Sequence, residues 1–177
     1  HGPLSVGHPL QDWGALKHFR APDPREYVKI TPDEEMLKKR DEFYCAPWSG
    51  NLFERIISLR GYENAMMDFV EEPPELDLLI AMLTEHNERY MRLWMQYDLD
   101  GIGFSDDSGS TTGTLISPES WRRHLKPAYQ YLYGIAHEHG LDVHLHSDGK
   151  VGEIIGDFIE IGLTAINQQS YLCGTEE

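Results

Sequence analysis

The stretch Leu141-Asp142-Val143-His144-Leu145-His146-Ser147-Asp148-Gly149 alternates apolar and ionisable residues. Successive side chains of a β-strand point to opposite faces, so the stretch predicts a strand with Val143 and Leu145 on one face. The other face would carry Asp142, His144, His146 and Asp148. If helices cover the apolar face, the ionisable side chains point inward. The strand itself ends at Gly149. The alternative is a polar strand end in which each group finds a local hydrogen bond.

The segments around this stretch alternate between strand and helix. Strands are predicted at residues 43–50, 100–107 and 163–168, and helices at 31–42, 52–59, 63–70, 75–97, 117–139 (divided at Pro127) and 151–161. Such an order is typical of a parallel sheet with helical crossovers. It indicates an α/β protein, a (β/α)₈ TIM barrel of which this chain is a middle segment with about four parallel strands. A flavodoxin-like open sheet is the alternative, but no Gly-rich phosphate loop follows a strand.

Composition narrows the class of protein further. The chain has 177 residues, a net charge of −15 and 40% hydrophobic residues, which predicts one folded domain over residues 1–177. A strongly acidic chain argues against nucleic acid or an anionic membrane as a partner. The two cysteines, Cys45 and Cys173, suggest reduced thiols and a cytoplasmic protein. Because the chain starts at His1 and stops soon after a strand, we expect a barrel domain truncated at both ends.

Polar residues follow each predicted strand. In a (β/α)₈ barrel the working residues lie at the carboxyl ends of the strands, so these residues are the candidates for a shared site. Along the chain they are Cys45, Trp48 and Ser49, then Asp106 and Asp107, then His144, His146 and Asp148, and finally Asn167, Gln168 and Gln169.

His146-Ser147-Asp148 places an imidazole and a carboxylate on one strand face, which is half of a site for zinc or a similar metal. A third ligand could be Asp106, Cys173 or a group beyond Glu177. The alternative is that His146 bonds a neighbouring carboxylate without a metal.

Asp106 and Asp107 are candidate acid/base catalysts, but adjacent residues face opposite ways and only one would point into a cavity. Asp106 is in register with Phe104, and Asp107 with Ser105, which leaves the inward residue undecided.

Several short motifs resemble the uroporphyrinogen decarboxylase superfamily, and within it the cobalamin-linked methyltransferase-like proteins. They are NLFER at 51–55, RGYEN at 60–64, GFSDDSG at 103–109, ISPESW at 116–121, HEHG at 137–140 and HLHSDG at 144–149. The order of these motifs is specific, although each alone is weak. The resemblance covers most of residues 1–170 and implies a (β/α)₈ barrel.

The resemblance also implies a metal site. The methyltransferase branch binds zinc through a His-x-Cys at the positions of His146 and Asp148, together with a later cysteine that would fall beyond Glu177. Here the cysteine position is Asp148, so a hard carboxylate replaces a soft thiolate. This change puts thiol activation in doubt and favours methoxyl or methylamine donors, or a metal other than zinc.

We therefore predict a metal-dependent methyltransferase that moves a methyl group between a small substrate and a corrinoid on a partner protein. His146 and Asp148 are the predicted metal ligands, and Asp106 or Asp107 a further ligand or acid/base. The predicted substrate-binding residues are Trp48, His144, Asn167 and Gln168. One alternative is a cofactor-free uroporphyrinogen decarboxylase, and another is a corrinoid- or tetrapyrrole-binding protein without catalysis.

Overall fold

A four-stranded parallel sheet forms the centre of the protein, in a computed structural model that describes residues 7–31 and 34–169. The strands lie side by side in chain order as β1 (Trp48–Gly50), β2 (Gly101–Ser105), β3 (Asp142–Asp148) and β4 (Ala165–Gln169). Each neighbouring pair is parallel. The predicted arrangement of consecutive parallel strands is thereby confirmed, and it corresponds to part of a (β/α)₈ barrel.

Helices connect each strand to the next. α1 (Pro24–Tyr27) and α2 (Glu34–Lys38) precede the sheet, together with short 3-10 helices at Trp13–His18 and Arg40–Glu42. The connections between strands contain α3 (Phe53–Arg60), α4 (Tyr62–Glu71), α5 (Pro74–Trp94), α6 (Pro118–His124), α7 (Lys126–Glu138) and α8 (Gly152–Glu160). The division of the predicted helix 117–139 at Pro127 is confirmed, since Pro127 stands in the first turn of α7. No helix in the described part of the chain has the length and apolarity needed to cross a membrane.

One face of the sheet is buried against helices. Val143 and Leu145 of β3 are fully buried, as are Ile102 and Phe104 of β2. The ring of Phe104 packs on Tyr129 and Tyr133 of α7, with centroids 6.2 and 5.3 Å apart. The apolar half of the alternating pattern therefore lies in the core, as predicted.

The opposite face carries the ionisable half of the same strand. In β3 the partly accessible positions are Asp142, His144, His146 and Asp148, alternating with buried ones. We call this the inner face, because it is the side that does not pack on helices. Parallel pairing aligns His146 with Ser105 of β2 and Asn167 of β4.

Two glycines of β2 leave room for aromatic rings on the inner face. A Cβ atom on Gly101 would lie 2.8 Å from the Tyr44 hydroxyl oxygen, and one on Gly103 would lie 2.6 Å from Cε3 of Trp48. The rings of Tyr44 and Trp48 thus cover the strand where other residues would project side chains.

The predicted buried strand at 43–50 is wrong over residues 43–47, because β1 begins only at Trp48. Phe43 and Tyr44 are 60% and 54% exposed. Cys45 and Pro47 still run alongside β2, since their carbonyl oxygens accept hydrogen bonds from the N–H groups of Gly101 and Gly103 at 3.3 and 2.8 Å. Pro47 has no N–H to return such a bond, which limits regular pairing.

Candidate functional site

Three side chains from the carboxyl ends of β2 and β3 converge on the inner face. The Nε2 atom of His146 lies 3.8 Å from Oδ1 of Asp107 and 3.7 Å from Oδ1 of Asp148. One potential ligand atom from each residue fits within a set whose members are all within 4.8 Å of one another. We call Asp107, His146 and Asp148 the carboxylate–imidazole cluster.

Hydrogen bonds link the carboxyl ends of β2 and β3 and hold the carboxylate of Asp107 in place. The N–H of Asp148 donates to Oδ1 of Asp107 at 2.9 Å, and the N–H of Ser108 donates to the Ser147 hydroxyl at 3.2 Å. The loops after β2 and β3 also cross closely, since a Cβ on Gly149 would lie 2.2 Å from the carbonyl carbon of Gly109. Gly149 has φ of 80°, a left-handed conformation that glycine adopts without strain. The glycine that ends the strand therefore also allows the second loop to approach.

The two distances from His146 to the carboxylates are compatible with a shared divalent metal. Two ligand atoms that each lie about 2.1 Å from a tetrahedral Zn²⁺ are about 3.4 Å apart. The observed separations of 3.7 and 3.8 Å are close to this value and are too long for direct hydrogen bonds. An imidazole with two carboxylates also suits harder divalent ions than a thiolate site does.

Aromatic and amide groups flank His146. The ring of Trp48 meets it edge to face, with centroids 6.3 Å apart and planes at 79°, and the Nδ1 atom of His146 lies 3.2 Å from Oδ1 of Asn167. Trp48 is 53% exposed, so its ring is accessible beside the cluster. Trp48 and Asn167, both predicted to bind substrate, therefore lie next to the predicted metal ligand.

Asp106, one of the two predicted catalytic carboxylates, faces away from the cluster. It is fully buried, and its carboxylate accepts backbone N–H groups of Leu52 at 2.8 Å, Phe53 at 2.7 Å and Glu54 at 2.7 Å. The Tyr129 hydroxyl also donates to it. Burial raises the pKa of the Asp106 carboxyl above its ordinary value, although these hydrogen bonds act in the opposite direction.

The structure therefore corrects the prediction in favour of Asp107. The Asp106 carboxylate caps the amino end of α3, so it contacts helix backbone, whereas the predicted catalytic role requires contact with a reactant. Of the adjacent acids, Asp107 is the one on the inner face.

Two predicted substrate-binding residues are engaged elsewhere. Nε2 of His144 is 2.9 Å from the Tyr44 hydroxyl, and the two rings stack with centroids 5.3 Å apart. Gln168 is aligned with Ser147 on the helix side of the sheet, and its Nε2 donates to the Gly149 carbonyl at 2.7 Å. Gln168 and Asn167, both predicted to bind substrate, thus lie on opposite faces of the sheet, because neighbouring residues of a strand face opposite ways. Cys173, a possible third ligand, lies outside the described residues.

Sequence reasoning missed Glu54 as a site residue. This residue stands in the first turn of α3, just after β1, and its Oε2 accepts a bond of 3.3 Å from Nδ2 of Asn51. Burial raises the pKa of the Glu54 carboxyl, and the charges of Asp106 and Asp107 act in the same direction. The sequence did contain an indication of this role, because NLFER places an acidic residue shortly after the end of the first strand.

Comparison with known proteins agrees with the fold. No curated protein matches the chain at a significant level. A solved methyltransferase from Methanosarcina mazei resembles the structure with a TM-score of 0.60 and 18% sequence identity, over 91% of this chain and 48% of that one. The chain thus spans about half the length of that enzyme, and a sequence identity this low is evidence only for a shared fold.

The profile of the uroporphyrinogen decarboxylase (URO-D) family matches residues 43–170, which include all four strands. The chain therefore belongs to the uroporphyrinogen decarboxylase family.

Proposed function

We propose that this member of the family is a divalent-metal-dependent methyltransferase that exchanges a methyl group between a small substrate and a corrinoid carried by a partner protein. The observation that carries the proposal is the carboxylate–imidazole cluster, whose potential ligand atoms all lie within 4.8 Å of one another. Asp107, His146 and Asp148 would hold the metal. When bound, zinc or another divalent ion acts as a Lewis acid that makes a substrate thiol or hydroxyl more nucleophilic or polarises a methoxyl group.

The residues around the cluster have separate roles in this proposal. Trp48 offers an accessible ring on which a small substrate can pack beside His146. Asp107 and Asp148 would lie opposite the imidazole and balance the charge of a divalent ion. Glu54, whose pKa burial raises, is suited to hold a proton near the site.

The charge of the site supports methyl transfer over tetrapyrrole decarboxylation. Uroporphyrinogen carries many carboxylates, and the inner-face end of the sheet presents the carboxylates of Asp107 and Asp148. Like charges brought together disfavour binding, whereas a neutral or cationic methyl donor meets no such repulsion. Methoxyl and methylamine compounds are therefore the donors to test first.

The first experiment measures bound metal in the purified protein and in His146→Ala and Asp107→Asn variants. We expect about one equivalent of a divalent ion in the wild type and loss of the ion in His146→Ala. His18→Ala, which removes an exposed histidine far along the chain, is the matched control and should keep the ion. Absence of metal from the wild type after reconstitution with Zn²⁺, Mn²⁺ and Co²⁺ would overturn the metal role.

The second experiment separates the candidate activities. Methylation of reduced cobalamin is followed by its visible spectrum with methoxyl and methylamine donors, and uroporphyrinogen is supplied in a parallel reaction. Metal-dependent methylation supports the proposal. Decarboxylation without metal favours the cofactor-free decarboxylase, and a corrinoid spectral change without turnover favours a binding protein.

A further inference from the structure

The two imidazoles of β3 are held differently, although both lie on the inner face. The Tyr44 hydroxyl donates to Oδ2 of Asp142 at 2.7 Å and lies 2.9 Å from Nε2 of His144, so it accepts a hydrogen bond from that nitrogen. The Nε2 atom of His146 instead lies beyond hydrogen-bond distance from both neighbouring carboxylates. Only His146 therefore presents this nitrogen to the cluster.

The bond at the other ring nitrogen determines which nitrogen carries the proton. His146 and Asn167 are aligned partners in the β3–β4 pair, and Nδ1 lies 3.2 Å from Oδ1 of Asn167. An amide oxygen can only accept, so Nδ1 must be the donor. In the neutral imidazole Nε2 then has the lone pair, and that lone pair points toward Asp107 and Asp148.

The ring of His146 is also restrained from the side. Trp48 meets it edge to face at 6.3 Å, and Trp48 itself lies against Gly103. The indole ring of Trp48 and the hydrogen bond to Asn167 together limit rotation of the His146 side chain. Fixing the outer nitrogen of a ligand histidine typically changes metal affinity about 10–100-fold.

We infer that Asn167 is a positioning residue, which holds His146 as the tautomer with its proton on Nδ1 and so directs the Nε2 lone pair into the carboxylate–imidazole cluster. This inference rests on the proposed function for its purpose, but the hydrogen bond from which the tautomer is inferred does not involve a metal. It replaces the prediction that Asn167 binds substrate directly.

The test is long-range ¹H–¹⁵N NMR of the metal-free protein, which distinguishes protonated from unprotonated ring nitrogens. We expect His146 to show one neutral tautomer, protonated on Nδ1. Asn167→Leu removes the acceptor and should give a mixture of tautomers, whereas Asn167→Asp retains an acceptor and should keep the proton on Nδ1. Gln130→Leu, an exposed amide of α7 outside the candidate site, is the matched control. A proton on Nε2 in the wild type, or an unchanged tautomer in Asn167→Leu, would overturn the inference.

Metal titration completes the test. Asn167→Leu should bind Co²⁺ about 10–100-fold more weakly than the wild type, and Asn167→Asp and Gln130→Leu should not show this loss. Equal affinity in Asn167→Leu and wild type counts against the positioning role. A wild-type protein with the expected tautomer and no affinity for metal would contradict the proposed function and leave the role of Asn167 in setting the tautomer intact.

Discussion

The indole ring of Trp48 lies over Gly103 so closely that a Cβ atom at residue 103 would be 2.6 Å from Cε3 of the ring. Trp48 is also the ring that packs against His146, with centroids 6.3 Å apart. A glycine in the middle of β2 is therefore connected to the candidate site through a single aromatic side chain. Replacement of this glycine should affect the site without altering any proposed ligand.

Gly103→Ala should displace the indole ring and destabilise the protein by about 1–3 kcal/mol, the usual cost of overpacking. The expected signs are a shift in tryptophan fluorescence and a lower free energy of unfolding in denaturant. Gly134→Ala in α7 is the matched control, because a Cβ there meets nothing within 4 Å. That control should leave stability unchanged or raise it by about 0.5–1 kcal/mol. Equal stability of the two variants would contradict the close contact.

Asp106→Ala should destabilise the protein by about 3 kcal/mol or more, because it leaves three N–H groups at the start of α3, two of them buried, and the Tyr129 hydroxyl without their acceptor. The neighbouring Asp107→Asn removes charge from a more exposed carboxylate and should change stability by less than about 1 kcal/mol. Urea unfolding of both variants measures the difference. A larger loss in Asp107→Asn would reverse the roles assigned to the two adjacent acids.

Asp68→Ala should cost about 3–5 kcal/mol, since it leaves the buried Arg60 guanidinium without its anionic partner. The pair is 2.6 Å apart and nearly inaccessible, and Arg60 also donates to the Gln11 carbonyl and lies 3.8 Å from the centroid of the Trp13 ring. The N-terminal segment should loosen as well, which limited proteolysis would detect. Glu85→Ala breaks an exposed pair with Arg89 within α5 and serves as the comparison, with little expected change.

Asp157 should contribute stability that disappears in acid. Hydrogen bonds from Lys126, and then from Arg122, hold the pKa of Asp157 below its ordinary value of 3.8. A lowered pKa in the folded state means that the unfolded state takes up the proton first, so the contribution is present above about pH 4 and is lost as pH falls through the folded-state pKa. The difference in unfolding free energy between the wild type and Asp157→Asn should be constant near neutral pH and shrink below about pH 4. A difference that persists unchanged at pH 3 would contradict this assignment.

The sequence by itself determined the parts of the fold that depend on local periodicity. Alternation along residues 141–149 was enough to place Val143 and Leu145 in the core and the histidines on the other face, because a strand has a period of two. The break at Pro127 was equally local, since proline has no N–H and suits only the first turn of a helix. The order of strands and helices then left few arrangements other than consecutive parallel strands.

Only the tertiary structure decided which polar residues meet. The sequence showed that Asp106 and Asp107 face opposite ways, but the direction depended on the helices that cover the sheet. Asp106 caps a helix more than 50 residues earlier in the chain, and Asn167 bonds His146 across 21 residues. Such contacts arise from packing between distant segments and leave no periodic signal in either one. The close spacing of the carboxylate–imidazole cluster is therefore a property of the assembled sheet, while its residue types were already visible in GFSDDSG and HLHSDG.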